Sequence, residues 1–155
     1  MRSRDVHRGF LLAFSIGCAT ASSGQSSGKT PPGPFRAHVD MKTFMEHVLT
    51  PSAAIIWRVN AIVFDDQGDH DLAPRSDADW EQIVTGTATL AEATNALMIP
   101  ERVLDSQWPI YVRNLSDAAD RAYRAAESHD LPAISKVSDE LDGVCAACHR
   151  HYGLE

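Results

Sequence analysis

The sequence predicts an all-α fold, an antiparallel bundle of four helices. Three observations lead there. Apolar residues recur at three- and four-residue steps in four separate segments. No segment shows the two-residue alternation of a strand. Capping residues, prolines and Asp/Gly-rich stretches divide the segments into lengths of roughly 20 residues, each worth about 30 Å of helix.

The first helix is expected from about Val39 to Ile62. Its inward stripe is Met41, Phe44, Met45, Val48, Ser52, Ile55, Ile56, Val59 and Ile62, with a kink near residues 47–51 where Pro51 removes an N–H. An Asp-, Gly- and Pro-rich loop follows from Asp65 to Arg75. The second helix starts at a cap, Ser76 or Asp77, with Asp79 and Glu81 in its first turn. It carries Trp80, Ile83, Val84, Leu90 and Leu97 inward and stops at Pro100. The third opens at Ser106, accommodates Pro109 in its first turn and ends near His129. Its inner face is lean: Ile110, Leu115, Ala118, Ala119, Ala122 and Ala126. Alanines at these places let a neighbouring helix or a flat ring approach closely. The fourth opens at Pro132 and aligns Ile134, Val137, Leu141, Val144, Cys148 and Tyr152 on one stripe.

The chain has 155 residues, 44% hydrophobic and 23% charged, which suits one globular domain with a core of its own. The net charge of −7 argues against nucleic acid as a partner, since phosphate binding needs clustered Lys and Arg. The N-terminus has the order of a secretory signal: basic Arg2, Arg4 and Arg8, a short apolar run from Phe10 to Ile16, then small residues. That run is too short to span a bilayer. Two processing routes fit. Ala19-Thr20-Ala21 satisfies the small-x-small rule for cleavage, while Ile16-Gly17-Cys18 resembles the end of a bacterial lipobox, which would leave Cys18 lipidated as a membrane tether. The expected organisation is a signal over residues 1–21, a flexible Ser/Gly/Pro-rich linker over 22–37 and a helical domain over 38–155.

One motif carries chemistry. Cys145-Ala146-Ala147-Cys148-His149 is Cys-x-x-Cys-His, the attachment signature of c-type haem. On a helix, positions i and i+3 share a face, so both thiols reach the two vinyl groups on one porphyrin edge. His149, at i+4, lies on that face as well, and its imidazole reaches the iron as the proximal ligand. One covalent haem c per chain is therefore expected. The competing readings are a thioredoxin-like disulfide, which wants a βαβ context, and a zinc knuckle, which needs two further ligands.

A Cys-x-x-Cys-His-x-x-Tyr ending, Cys145 to Tyr152, on the last helix of an exported four-helix chain resembles the cytochrome c prime family, in particular its low-spin, six-coordinate branch. The resemblance covers about residues 39–153. It implies a single haem packed between helices near one end of the bundle, His149 as fifth ligand, and a first-helix residue over the opposite haem face. By the same resemblance Met45 falls at the methionine ligand position, with Met41, one turn earlier, as the alternative. Five-coordinate members commonly carry an Arg four residues after the proximal His. Here that position is Gly153, a departure that disfavours gas chemistry.

The expected function is electron transfer by an exported single-haem protein, periplasmic and either soluble or lipid-anchored, rather than enzymatic turnover. Its expected partners are redox proteins, with a second copy of the chain as a further candidate. The alternative is a five-coordinate haem protein that binds nitric oxide or another small gas. Trp57, Trp80 and Trp108 read as core or haem-edge packing, and Met98 as core or haem edge.

Overall fold

The computed structural model describes residues 35–154. They form four helices and one small two-stranded hairpin. The signal, the linker up to residue 34 and the candidate lipidation site Cys18 lie outside the described residues.

The first helix is a continuous run over residues 41–60 built from four segments of three kinds of turn: α over Met41–Phe44, π over Met45–Leu49, α over Thr50–Trp57 and 3₁₀ over Arg58–Asn60. Asp40 starts it by accepting the Thr43 N–H at 2.7 Å. The kink expected at Pro51 takes the form of the π turn. Pro51 has no N–H to offer, and the ladder widens just before it, so that the Thr50 N–H reaches back to the Met45 carbonyl.

The first helix ends earlier than its apolar pattern implied. Ile62–Asp65 and Gly68–Asp71 pair as an antiparallel hairpin, with Ile62 opposite Asp71 and Asp65 opposite Gly68. Ile62 is therefore an exposed strand residue, not the last inward residue of the helix, and part of the expected loop is strand. The local reason is legible afterwards. Ile-Val-Phe is a β-favouring triplet, and Gly68 takes φ +115°, a conformation side chains resist, to close the turn.

The second helix is Asp77–Leu97. Ser76 and Asp79 cap it reciprocally: Ser76 Oγ accepts the Asp79 N–H at 3.2 Å and the Asp79 carboxylate accepts the Ser76 N–H at 2.9 Å. Hydrogen bonds from the Arg75 and Ser76 backbone and the Ser76 hydroxyl hold the Asp79 carboxyl below the usual range. The third helix is Trp108–Glu127. The residue that satisfies its first N–H groups is Asp105, whose carboxylate accepts from Gln107 and Trp108 at 2.8 and 3.0 Å. The fourth is Leu131–His151, capped by Asp130, which accepts the Ala133 N–H at 3.0 Å.

The second helix packs on the third, the third on the fourth, and the first on both the second and the fourth. Ala118, Ala119, Ala122 and Ala126 are fully buried at the centre. Ile110 departs from the expected inner face: it is 52% exposed, and Trp108 and Val112 take the inward places. Residue 110 sits two positions from each of them, about 200° around a helix, and so faces away. Arg102 is buried without having shown any sequence signal. Its guanidinium donates to the Ala96 and Val39 carbonyls at 3.0 and 3.1 Å and lies 4.1 Å over the Phe44 ring. It thereby fastens the end of the second helix to the start of the first.

Candidate functional site

The last two turns of the fourth helix place Cys145, Cys148 and His149 on the wall of an apolar cavity to which all four helices contribute. The first helix supplies Met45, Leu49, Thr50, Ala53 and Trp57. The second supplies Leu90 and Leu97, and the third Trp108, Tyr111, Val112 and Leu115. Cys145, Cys148 and His149 are each half-buried. The i, i+3, i+4 spacing thus turns all three toward one space, as helix geometry requires.

Met45 lines this cavity. Met41, the alternative, packs against the core from outside it. Met98, at the end of the second helix, is exposed and faces neither the core nor the cavity. Of the three tryptophans, Trp57 and Trp108 line the cavity, whereas Trp80 stacks on His129 with ring centroids 4.8 Å apart. Tyr111 and Leu49 also reach the cavity, unmarked in the sequence. Tyr111 stands three residues after Trp108, the helical spacing that reveals a shared face once one member is placed.

The electrostatics of the thiols are informative. Burial, followed by the Asp142 carboxylate and Cys148, pushes the Cys145 thiol up to about 11. Burial also raises the Cys148 thiol. Both are free cysteines held in their neutral form. Redox-active Cys-x-x-Cys pairs need the opposite, a depressed thiol that supplies thiolate near neutral pH.

Beside the motif, the Tyr152 hydroxyl donates to Asp105 at 2.9 Å. Burial and then the Asp105 carboxylate push Tyr152 up to about 12, and the same hydrogen bond is the main reason the Asp105 carboxyl sits low. Asp105 therefore joins the start of the third helix to the end of the fourth. Trp108 and Tyr111 contact the Tyr152 ring at 5.4 and 6.0 Å between centroids, and His151, exposed, packs against Tyr111 at 5.0 Å. Among the described residues, no three His, Cys, Asp or Glu side chains converge as a ready-made metal-ligand set, and no helix is long and apolar enough to cross a membrane.

Comparison with protein-family models, curated proteins and solved structures gives no match to this chain.

Proposed function

We propose that this chain is a single-haem c-type cytochrome that carries electrons outside the cytoplasm, similar in plan to the low-spin cytochromes c prime. The observation that carries this reading is the convergence of Cys145, Cys148, His149 and Met45 on one apolar cavity. The chain has seven His, four Met and three Cys, fourteen in all, and of these one imidazole, one thioether and two thiols line this cavity. The three-residue connection 128–130 between the third and fourth helices favours an antiparallel pair, and with it an antiparallel four-helix bundle around the cavity.

In this reading Cys145 and Cys148 anchor one haem c through thioether bonds, His149 is its proximal ligand, and Met45 is the sixth ligand from the first helix. Neutral thiols suit thioether formation, which ends with sulfur bonded to carbon and uncharged. The apolar walls exclude water and offer the flat faces that a porphyrin needs. When bound, the haem supplies one-electron chemistry, and the chain supplies ligation, burial and orientation. Methionine opposite histidine raises the reduction potential, as suits an electron carrier. The partners are redox proteins, and a lipidated Cys18 would tether the carrier to a membrane.

The test is a pair of variants compared with the wild type. The wild-type optical spectrum should be low-spin, with the methionine–iron charge-transfer band. Met45→Leu preserves volume and apolarity, so packing should cost less than roughly 1.5 kcal/mol. Its iron should become five-coordinate, bind carbon monoxide readily and fall in potential. Met41→Leu should remain low-spin. A high-spin wild type unchanged by either substitution would replace electron transfer with gas binding. A chain that retains no haem on a denaturing gel would end the cytochrome reading altogether.

A further inference from the structure

The hairpin of Ile62–Asp65 and Gly68–Asp71 has neither face covered: all eight of its residues are exposed, with Ile62, Val63 and Phe64 at 56, 44 and 72%. Two strands in that state are marginal in water, and a further strand or a covering layer is what secures them. The backbone shows which groups are free to take one. The Leu72 N–H donates to the Ala61 carbonyl at 3.0 Å. Bonded and non-bonded pairs alternate along an antiparallel ladder. Val63 and His70 therefore bond each other, while Ile62 and Phe64 turn their N–H and C=O groups to the outer edge of the first strand. Asp69 and Asp71 do the same on the second strand.

The two edges differ in charge. Two copies joined antiparallel through the second strand, about His70, would set Asp69 of each against Asp71 of the other, and like charges directly opposite are destabilising. The first strand presents Ile62-Val63-Phe64, with no charge, no proline and no bulge to blunt the edge. We propose that this edge is a docking surface for the same strand of a second copy of the chain. With the two-fold axis at Val63, Ile62 of each copy exchanges both ladder bonds with Phe64 of the other. Their side chains share a face as an aromatic and β-branched pair, a favourable cross-strand combination. Val63 meets its own equivalent at the axis. Asp65, which lies 2.9 Å from His70 in its own hairpin, falls opposite Ala61. The hairpins become one continuous sheet with the acidic strands on its outer edges, as far apart as the sheet allows. The interface is isologous, as a two-fold dimer requires. A contact this small makes a weak, reversible dimer. The inference does not rest on the haem reading.

Sedimentation equilibrium of the mature protein tests it, up to sub-millimolar concentration and in salt sufficient to screen the net charge of −7. The wild type should show a monomer–dimer equilibrium. Val63→Lys and Val63→Asp, each alone, bring like charges together at the axis and should weaken association several-fold. Both changes fall on an exposed side chain, so far-ultraviolet circular dichroism should report the wild-type helix content. Mixed in equal amounts, the two variants should regain association, because opposite charges then meet. A wild type that stays monomeric throughout this range overturns the proposal. So does a dimer that survives both substitutions, or a mixture of the folded variants that recovers nothing.

Discussion

Alanine at Gly86 and alanine at Gly143 are the same chemical change in two helices, and the structure assigns them opposite signs. Gly86 lies in the second helix where the first crosses it. A Cβ there would stand 2.8 Å from both Cβ and Cγ2 of Ile55 and 3.0 Å from its Cδ1. Carbon atoms in contact prefer about 3.5–4.0 Å. The deficit is close to 1 Å, and Ile55 Cβ cannot rotate away because it is fixed to the backbone. The two helices must part, or Gly86 must stay glycine. Overpacking of this kind costs about 1–3 kcal/mol, while replacing a helical glycine by alanine returns about 1 kcal/mol of propensity. The expected net effect of Gly86→Ala is a loss of up to about 2 kcal/mol. At Gly143, in the fourth helix, an added Cβ meets nothing within 4 Å. Only the propensity gain remains, and Gly143→Ala should stabilise by about 0.5–1 kcal/mol. Urea unfolding followed by far-ultraviolet circular dichroism, at equal haem content, measures both. If Gly86→Ala gains as much stability as Gly143→Ala, the first helix does not approach the second as closely as this packing requires. The placement of Met45 and Trp57 in the cavity would then lose its support.

Three further outcomes are expected. Cys148→Ser should leave at most one thioether and His149→Ala should remove the proximal ligand; a wild-type haem spectrum surviving acid–acetone extraction in either variant refutes the attachment site. Tyr152→Phe removes the hydrogen bond that keeps the Asp105 carboxyl low. The stability this bond adds is fully present above the unfolded carboxylate value near 4 and is lost as pH falls through the lower folded value, so the variant's deficit in urea should be clear at about pH 7 and narrow toward about pH 3. Because Tyr152 itself is raised to about 12, the deficit should narrow again as pH climbs from about 10 through that value. Cys18→Ser should move a lipidated protein from the membrane fraction to the soluble one; a wild type already soluble excludes the lipid and leaves cleavage after Ala21.

Much of the fold was readable without coordinates because helices announce themselves locally. The Ser76–Asp79 cap, Pro109 and Pro132 in first turns, and the 3.6-residue stripes each depend on neighbours a few positions away. The same locality made Cys145, Cys148 and His149 legible, since their spacing alone puts them on one face. The hairpin at Ile62–Asp71 escaped notice because its triplet Ile-Val-Phe also continues the helical stripe, and a short apolar run does not say which period it belongs to.

What the sequence could not decide is which partners meet across the core. Met41 and Met45 lie on one helical face, and only the π turn before Pro51 together with the approach of the other three helices places Met45, not Met41, at the cavity. Trp57 and Trp108 are equivalent as letters. Their difference, one indole bonded to Leu97 and one left without an acceptor, exists only after four helices have closed around a shared space. Arg102 is the same case, a buried cation whose acceptors are backbone carbonyls six and 63 positions away. Local periodicity fixes which way a side chain points from its own helix. What it points at is set by contacts distant along the chain, and those come from tertiary packing alone.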